Sequence, residues 1–113
     1  MLRRVPGPDP GDNTLQPGVP KTGLGASTNT SLNYTITVPA GRSQLRVTTT
    51  GSNGDADLYV RAGSAPTDSS YTCRSWASGS HETCVINNPA AGVWHVRIKA
   101  YSTFSNVTLN ATY

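Results

Sequence analysis

The chain has 113 residues, enough for one domain with a modest hydrophobic core. Nine basic and six acidic residues give a net charge of +3, and the basic residues are scattered along the chain. A nucleic-acid-binding domain needs a basic surface with interleaved aromatic rings, so we do not expect a nucleic-acid partner. No apolar run is long enough to span a membrane, so we do not expect a membrane partner either.

Residues 1–20 contain five of the eight prolines, with glycines between them. Proline removes backbone donors and glycine weakens order, so we predict an interdomain linker over 1–20 and a folded domain over 21–113. Leu15 and Val19 are the first apolar residues that can dock on a core. The stretch after Met1 lacks the apolar region of a signal peptide. This fits either a cytosolic protein or an excised piece of a longer secreted chain, and we favour the second.

The rest of the chain is rich in Thr, Ser, Gly, Asn and Val, which favour strands and turns. Alternating apolar and polar residues predict strands at 31–38, 44–50, 55–61, 93–100 and 107–113, with short strands at 71–76 and 82–86. The turn at 39–42 is expected to join the first two strands into an antiparallel hairpin. Seven or eight short strands without a helix predict an all-β fold, an antiparallel β-sandwich of jelly-roll type.

Cys73 and Cys84 are the only cysteines, and a Ser/Gly turn separates the predicted strands that carry them. The even count and the absence of further ligands favour a disulfide, which implies an oxidising compartment. A zinc site is the alternative. It needs two more ligands besides the two sulfurs, and His81 alone does not complete the set.

Asn53, Asp55 and Asp57 place side-chain oxygens at alternate positions beside a glycine turn. Calcium takes six to eight oxygen ligands, so these three residues are candidates for part of a calcium site. The competing interpretation is local turn chemistry, in which Asp55 caps the turn and Asp57 pairs with a nearby arginine. We favour turn chemistry and expect neither a metal nor another cofactor, because the local ligand set is incomplete.

A catalytic site is not expected. No serine lies in a Gly-x-Ser-x-Gly sequence, and no other local motif marks a nucleophile. His95 falls on the polar face of its predicted strand, and the spacing of His81 and His95 is not that of a helical zinc motif.

The aromatic residues are the better candidates for a binding surface. Tyr59 falls on the face opposite Leu58, whereas Trp76 and Tyr101 lie near turns. Exposed aromatic rings on a rigid sheet commonly anchor a polymer, so Tyr59, Trp76 and Tyr101 are candidate substrate-binding residues. The alternative for Trp76 and Tyr101, which the sequence supports equally, is that they cover the ends of the sandwich. Phe104 is expected instead to cover one end of the sandwich.

Several short motifs follow one another in a familiar order. They are LQPGVP at 15–20, VPAG at 38–41, GDADLYV at 54–60, GSAPT at 63–67, YTC at 71–73, ETC at 82–84, AG at 91–92 and AYS at 100–102. Together they resemble the bacterial pre-peptidase C-terminal domain over residues 15–113.

The resemblance implies a non-catalytic β-sandwich attached behind the catalytic domain of a secreted peptidase, a subtilisin-like serine protease in preference to a metalloprotease. Distant clostridial relatives bind collagen and carry a calcium site near the N-terminal linker. The corresponding acidic cluster is not evident here, because Asp9 and Asp12 are isolated among prolines.

We therefore expect an extracellular, monomeric accessory domain whose partners are the protease catalytic domain in cis and an insoluble protein substrate such as collagen or keratin. One alternative is a cleavable segment that assists folding or secretion or regulates the enzyme. The other alternative is a carbohydrate-binding module.

Overall fold

The computed structural model describes residues 13–51, 53–77 and 79–113. Within these ranges the chain forms eight strands and no helix, so it contains no helix that crosses a membrane. The strands are β1 Lys21–Ala26, β2 Ser31–Val38, β3 Gln44–Thr50, β4 Asp55–Ala62, β5 Cys73–Ser75, β6 Glu82–Asn87, β7 Gly92–Ser102 and β8 Phe104–Thr112.

The strands form two four-stranded sheets with the orders β1-β8-β3-β6 and β2-β7-β4-β5. β1 pairs with β8, β2 with β7, β3 with β6 and β4 with β5, and all four pairings are antiparallel. A long hairpin that is rolled over itself produces these pairings, and the result is the strand order of a jelly roll. The predicted all-β antiparallel sandwich of seven or eight strands is thus confirmed.

Alternation along the strands fills the space between the two sheets. β7 contributes Trp94, Val96, Ile98 and Ala100, all buried, which are the residues predicted to share the inward face. β8 contributes buried residues at every second position in the same way. A single cluster of buried side chains therefore holds the two sheets together.

The hairpin predicted for 31–38 and 44–50 is wrong. β2 pairs with β7, whereas β3 lies in the other sheet between β6 and β8. Residues 39–43 therefore cross from one sheet to the other instead of reversing the chain within one sheet. Alternation predicts which face of a strand is buried, but a jelly roll and a meander of hairpins share that local pattern.

The last residues of the predicted linker pack on the domain. The backbone N–H of Leu15 donates to the carbonyl of Thr35 at 2.7 Å, and that of Gly18 donates to the carbonyl of Ala111 at 2.8 Å. The side chain of Leu15 is buried in the core, as predicted, whereas Val19 is exposed. Residues 1–12 lie outside the described residues, so the boundary at residue 20 stays a prediction.

The predicted disulfide between Cys73 and Cys84 is confirmed, with its Cα atoms 5.9 Å apart. Cys73 lies on β5 and Cys84 on β6, and these strands belong to different sheets. The bond therefore joins the two sheets at one edge of the sandwich and anchors both ends of the segment that carries Trp76.

A candidate binding site at Trp76 and Tyr101

A cavity of about 300 Å³ opens on the surface where the start of β4, the end of β5 and the end of β7 meet. Five residues line it: Asp55, Asp57, Arg74, Trp76 and Tyr101. The residues come from three segments that are distant in sequence, and strand pairing brings them together. β4 lies between β5 and β7 in one sheet.

Two of the predicted binding aromatics line this cavity and are exposed. Trp76 is 65% exposed and Tyr101 is 70% exposed, the two largest values among the exposed large hydrophobic residues of the described chain. Trp76 follows β5 directly, and Tyr101 lies near the end of β7. The structure thus confirms their exposure and places them on one surface, while a role in substrate binding stays a prediction.

Tyr59, the third predicted binding aromatic, is only 1% exposed, so its expected exposure is wrong. Its ring meets that of Tyr71 edge to face, with centroids 5.7 Å apart. The guanidinium groups of Arg74 and Arg97 lie 5.1 and 5.2 Å from the Tyr59 ring centroid. These side chains cover the outer face of β4, which alternation alone predicts to be open. Phe104 is buried, as expected.

An acidic cluster forms the inner part of the site. One carboxylate oxygen from each of Asp55, Asp57 and Glu82 lies within 4.8 Å of the others. Asn53, the third candidate ligand that the sequence predicts, instead donates its side-chain amide to the hydroxyl of Ser105 at 3.5 Å. The ion pair expected between Asp57 and an arginine is absent among the described residues.

Sequence reasoning missed Glu82 because 24 residues separate it from Asp57 along the chain. One sequence feature points to it: Glu82 is the only glutamate in the chain. It begins β6 in the sheet opposite β4, so only the packing of the sheets brings it to the aspartates.

Hydrogen bonds hold Glu82 firmly in place. Its Oε1 atom accepts from the Ser75 hydroxyl at 2.5 Å and from the Ala77 backbone N–H at 3.2 Å. Its own backbone N–H donates to the hydroxyl of Thr49 at 3.1 Å, and that hydroxyl donates to the carbonyl of Ser80 at 3.0 Å. The carboxylate is therefore positioned by both sheets.

Burial and neighbouring charge change the ionisation of two carboxyl groups in the cluster. Burial raises the pKa of Asp57 to about 6, the negative charges of Asp55 and Glu82 add to this rise, and the positive charge of Arg74 opposes it. Burial also raises the pKa of Glu82, although the hydrogen bond from Ser75 acts in the opposite direction. Both shifts follow from placing like charges together away from water.

The two histidines do not join this cluster. His95 lies on β7 opposite Thr35 and Arg61, on the face predicted from sequence, and His81 is exposed. Among the described residues, the group of side chains able to share a metal ion consists of the three carboxylates alone.

The fold is a jelly roll that displays two aromatic rings beside an acidic cavity, an architecture that hosts many unrelated functions. The chain belongs to the bacterial pre-peptidase C-terminal domain family, whose sequence model matches residues 30–100. This confirms the family resemblance seen in the motifs, and with it the expectation of an accessory domain of proteases.

Three relatives and one solved structure illustrate the family. An extracellular protease of Xanthomonas campestris pv. campestris is 65% identical over 89% of this chain. The virulence metalloprotease of Vibrio anguillarum is 43% identical over 88%, and the alkaline serine exoprotease A of Vibrio alginolyticus is 41% identical over 96%. The solution structure of vEP C-ter 100 has a TM-score of 0.72 and 40% identity, and it covers 89% of this chain and 99% of its own.

The matches cover 17, 16 and 20% of the lengths of these three relatives. The chain thus spans a fifth or less of the length of each of these three relatives. The relative from Xanthomonas is named an extracellular protease, which confirms the extracellular localisation expected from the disulfide.

Proposed function

We propose that this chain is the accessory domain of a secreted protease and that it binds the protein substrate of that enzyme through Trp76 and Tyr101. One observation carries the proposal: the two most exposed large aromatic side chains line the same cavity. Isolated exposed aromatics are common on protein surfaces, but two around one concave site are typical of a binding surface.

The cavity is organised for binding without a large change of shape. Arg74 lies against Trp76, with its guanidinium carbon 3.5 Å from the ring centroid. The disulfide fixes the strand on which Arg74 lies to the opposite sheet. Because the contact with Arg74 already orders Trp76, less conformational entropy is lost when a partner binds.

The attached catalytic domain would be the partner in cis, and an insoluble protein such as collagen or keratin would be the substrate. The names of the relatives include a serine protease and a metalloprotease. The proposal therefore extends to a protease of either class, and the earlier preference for a subtilisin-like parent is not part of it.

Sedimentation of the purified chain with insoluble polymers tests the proposal. The wild-type chain and the variants Trp76→Ala, Tyr101→Ala and Val85→Ala would be incubated with collagen, keratin, chitin and cellulose. Val85 is an exposed apolar residue of β6 in the other sheet, so its variant controls for a general loss of apolar surface. We expect binding to collagen or keratin that falls about tenfold in each aromatic variant and is unchanged in Val85→Ala.

Other outcomes separate the alternatives. Binding to chitin or cellulose alone would contradict the proposal in favour of a carbohydrate-binding module. If no polymer is bound, and deleting the domain lowers the yield or changes the activity of the parent enzyme, the domain is a folding, secretion or regulatory segment instead.

A further inference from the structure

We propose that Asp55, Asp57 and Glu82 form a calcium-binding site where β4 meets β6 at the edge of the sandwich. The oxygens that the three carboxylates offer lie within 4.8 Å of one another. Two calcium–oxygen bonds span roughly 5 Å, so one ion can contact all three carboxylates without a large movement of the backbone.

A second observation, independent of the acidic composition, points to a missing ligand. Glu82 is only 2% exposed, and its Oε2 atom is buried without a hydrogen-bond partner among the described residues. Oδ1 of Asp55 is likewise buried without a partner. A buried polar atom without a partner is costly, and natural proteins contain few of them. A bound cation would satisfy both oxygens at once.

The negative charges of the cluster also favour a bound cation. Among the described residues, Arg74 is the positive group whose charge acts on Asp57. Lys99, which lies opposite Asp57 in the strand pairing, donates to the carboxylate of Asp68 at 2.7 Å instead. The negative charges of Asp55 and Glu82 act on Asp57 against this one opposing charge, and a divalent ion would relieve the repulsion.

The site is built on a rigid frame and is open on one side. Glu82 is fixed through its Oε1 atom by Ser75 and Ala77, which leaves the second oxygen available as a ligand. Asp55 and Asp57 line the surface cavity, so an ion can enter from solvent and water can complete its coordination. Calcium suits this arrangement because it accepts carboxylate and water oxygens in irregular geometry, whereas magnesium demands a near-ideal octahedron.

The proposed site differs from both earlier expectations. It contains Glu82 in place of Asn53, and all three of its residues belong to strands of the sandwich. The test of this site is also independent of the proposed substrate binding, because calcium binding is measured with no substrate present.

Calcium titration of the whole chain tests the site. Melting temperatures would be measured by circular dichroism in EGTA and in excess CaCl2, with calorimetric titration of the metal-free chain as the direct measurement. Extracellular calcium modules bind with dissociation constants of about 10⁻⁴–10⁻³ M, so a large excess of calcium should raise the melting temperature by about 5 °C.

Two variants make the result specific to the cluster. Glu82→Gln keeps an oxygen that accepts from Ser75 and Ala77 but removes the charge, and we expect it to abolish the calcium response. Asp68→Asn removes a carboxylate that lies outside the cluster, and we expect the wild-type response. Asp55→Asn, at a half-buried position, replaces Glu82→Gln if that variant does not fold.

Terbium luminescence offers a second readout, since terbium replaces calcium and is excited through a nearby tryptophan such as Trp76. The proposal is overturned if calcium binds the wild type in neither measurement. It is also overturned if Glu82→Gln responds like the wild type, or if magnesium raises the melting temperature as much as calcium does.

Discussion

The guanidinium carbon of Arg74 lies 3.5 Å from the centroid of the Trp76 ring. The same group lies 5.1 Å from the ring of Tyr59 and 5.7 Å from that of Tyr71. One arginine therefore links the buried aromatic ring on the outer face of β4 to the exposed ring of the cavity. Its charge also acts on Asp57, so Arg74 connects the aromatic and acidic parts of the site.

Replacing Arg74 with alanine is expected to lower the free energy of unfolding by about 1–2 kcal/mol, because cation–π contacts with three rings are lost. Urea denaturation would measure this loss, and acrylamide quenching of tryptophan fluorescence would report a more accessible Trp76. Arg74→Lys is the control: it keeps the charge but loses the planar stacking, so an intermediate stability is expected. Wild-type stability and quenching in Arg74→Ala would contradict this role.

Removing the disulfide should destabilise the domain through the unfolded state. Cys73 and Cys84 are 11 residues apart, and a loop of this size predicts a loss of about 3 kcal/mol in the chain-entropy model. The double variant Cys73→Ala/Cys84→Ala avoids placing a hydroxyl at the buried Cys84 position. Denaturation of the wild type with and without reductant should give a similar difference. A reduced wild type as stable as the oxidised form would contradict the prediction.

Gly54 lies in the left-handed region with φ at +70°, and a Cβ atom there would lie 2.0 Å from the carbonyl oxygen of Thr103 and 2.7 Å from Cα of Phe104. Because both neighbours are backbone atoms, Gly54→Ala should cost more than about 4 kcal/mol. Gly63 is a matched control with φ at +79° and open space around the site of a Cβ. Gly63→Ala should cost only about 1–2 kcal/mol, from backbone strain alone. Similar melting temperatures for the two variants would contradict the steric explanation.

Asp68 joins two cations of β7: Lys99 at 2.7 Å and Arg97 at 2.9 Å. The hydrogen bond from Lys99, with that from Arg97, lowers the pKa of the Asp68 carboxyl. The native state thus favours the ionised form, so the stabilisation is present above the ordinary pKa of aspartate. It is lost as the pH falls through the lowered native value.

The stability difference between wild type and Asp68→Asn should therefore be less than about 1 kcal/mol at neutral pH, because Asp68 is exposed. The difference should disappear in strong acid and in high salt. Urea denaturation at several pH values and salt concentrations measures it, and a difference that persists in high salt would argue against an electrostatic origin.

Several residues of the candidate site could be predicted from sequence, but their arrangement around one cavity could not. The sequence predicts that Trp76 and Tyr101 lie near turns, and the structure shows that both are exposed. The outward position of Tyr59 on β4 was also correct, yet its burial was missed. Burial of an outer face depends on which side chains from other segments fold over it, and strand alternation carries no information about them.

The sequence by itself determined which residues face the core, because a strand places alternate side chains on opposite faces wherever it lies in a sheet. It also predicted the disulfide, because the two cysteines lack the further ligands that a zinc site needs. Only the tertiary structure decided that β2 and β3 lie in different sheets and that Glu82 meets Asp55 and Asp57. Strand partners and long-range contacts depend on how the two sheets pack, and that packing is a property of the whole chain rather than of any local stretch.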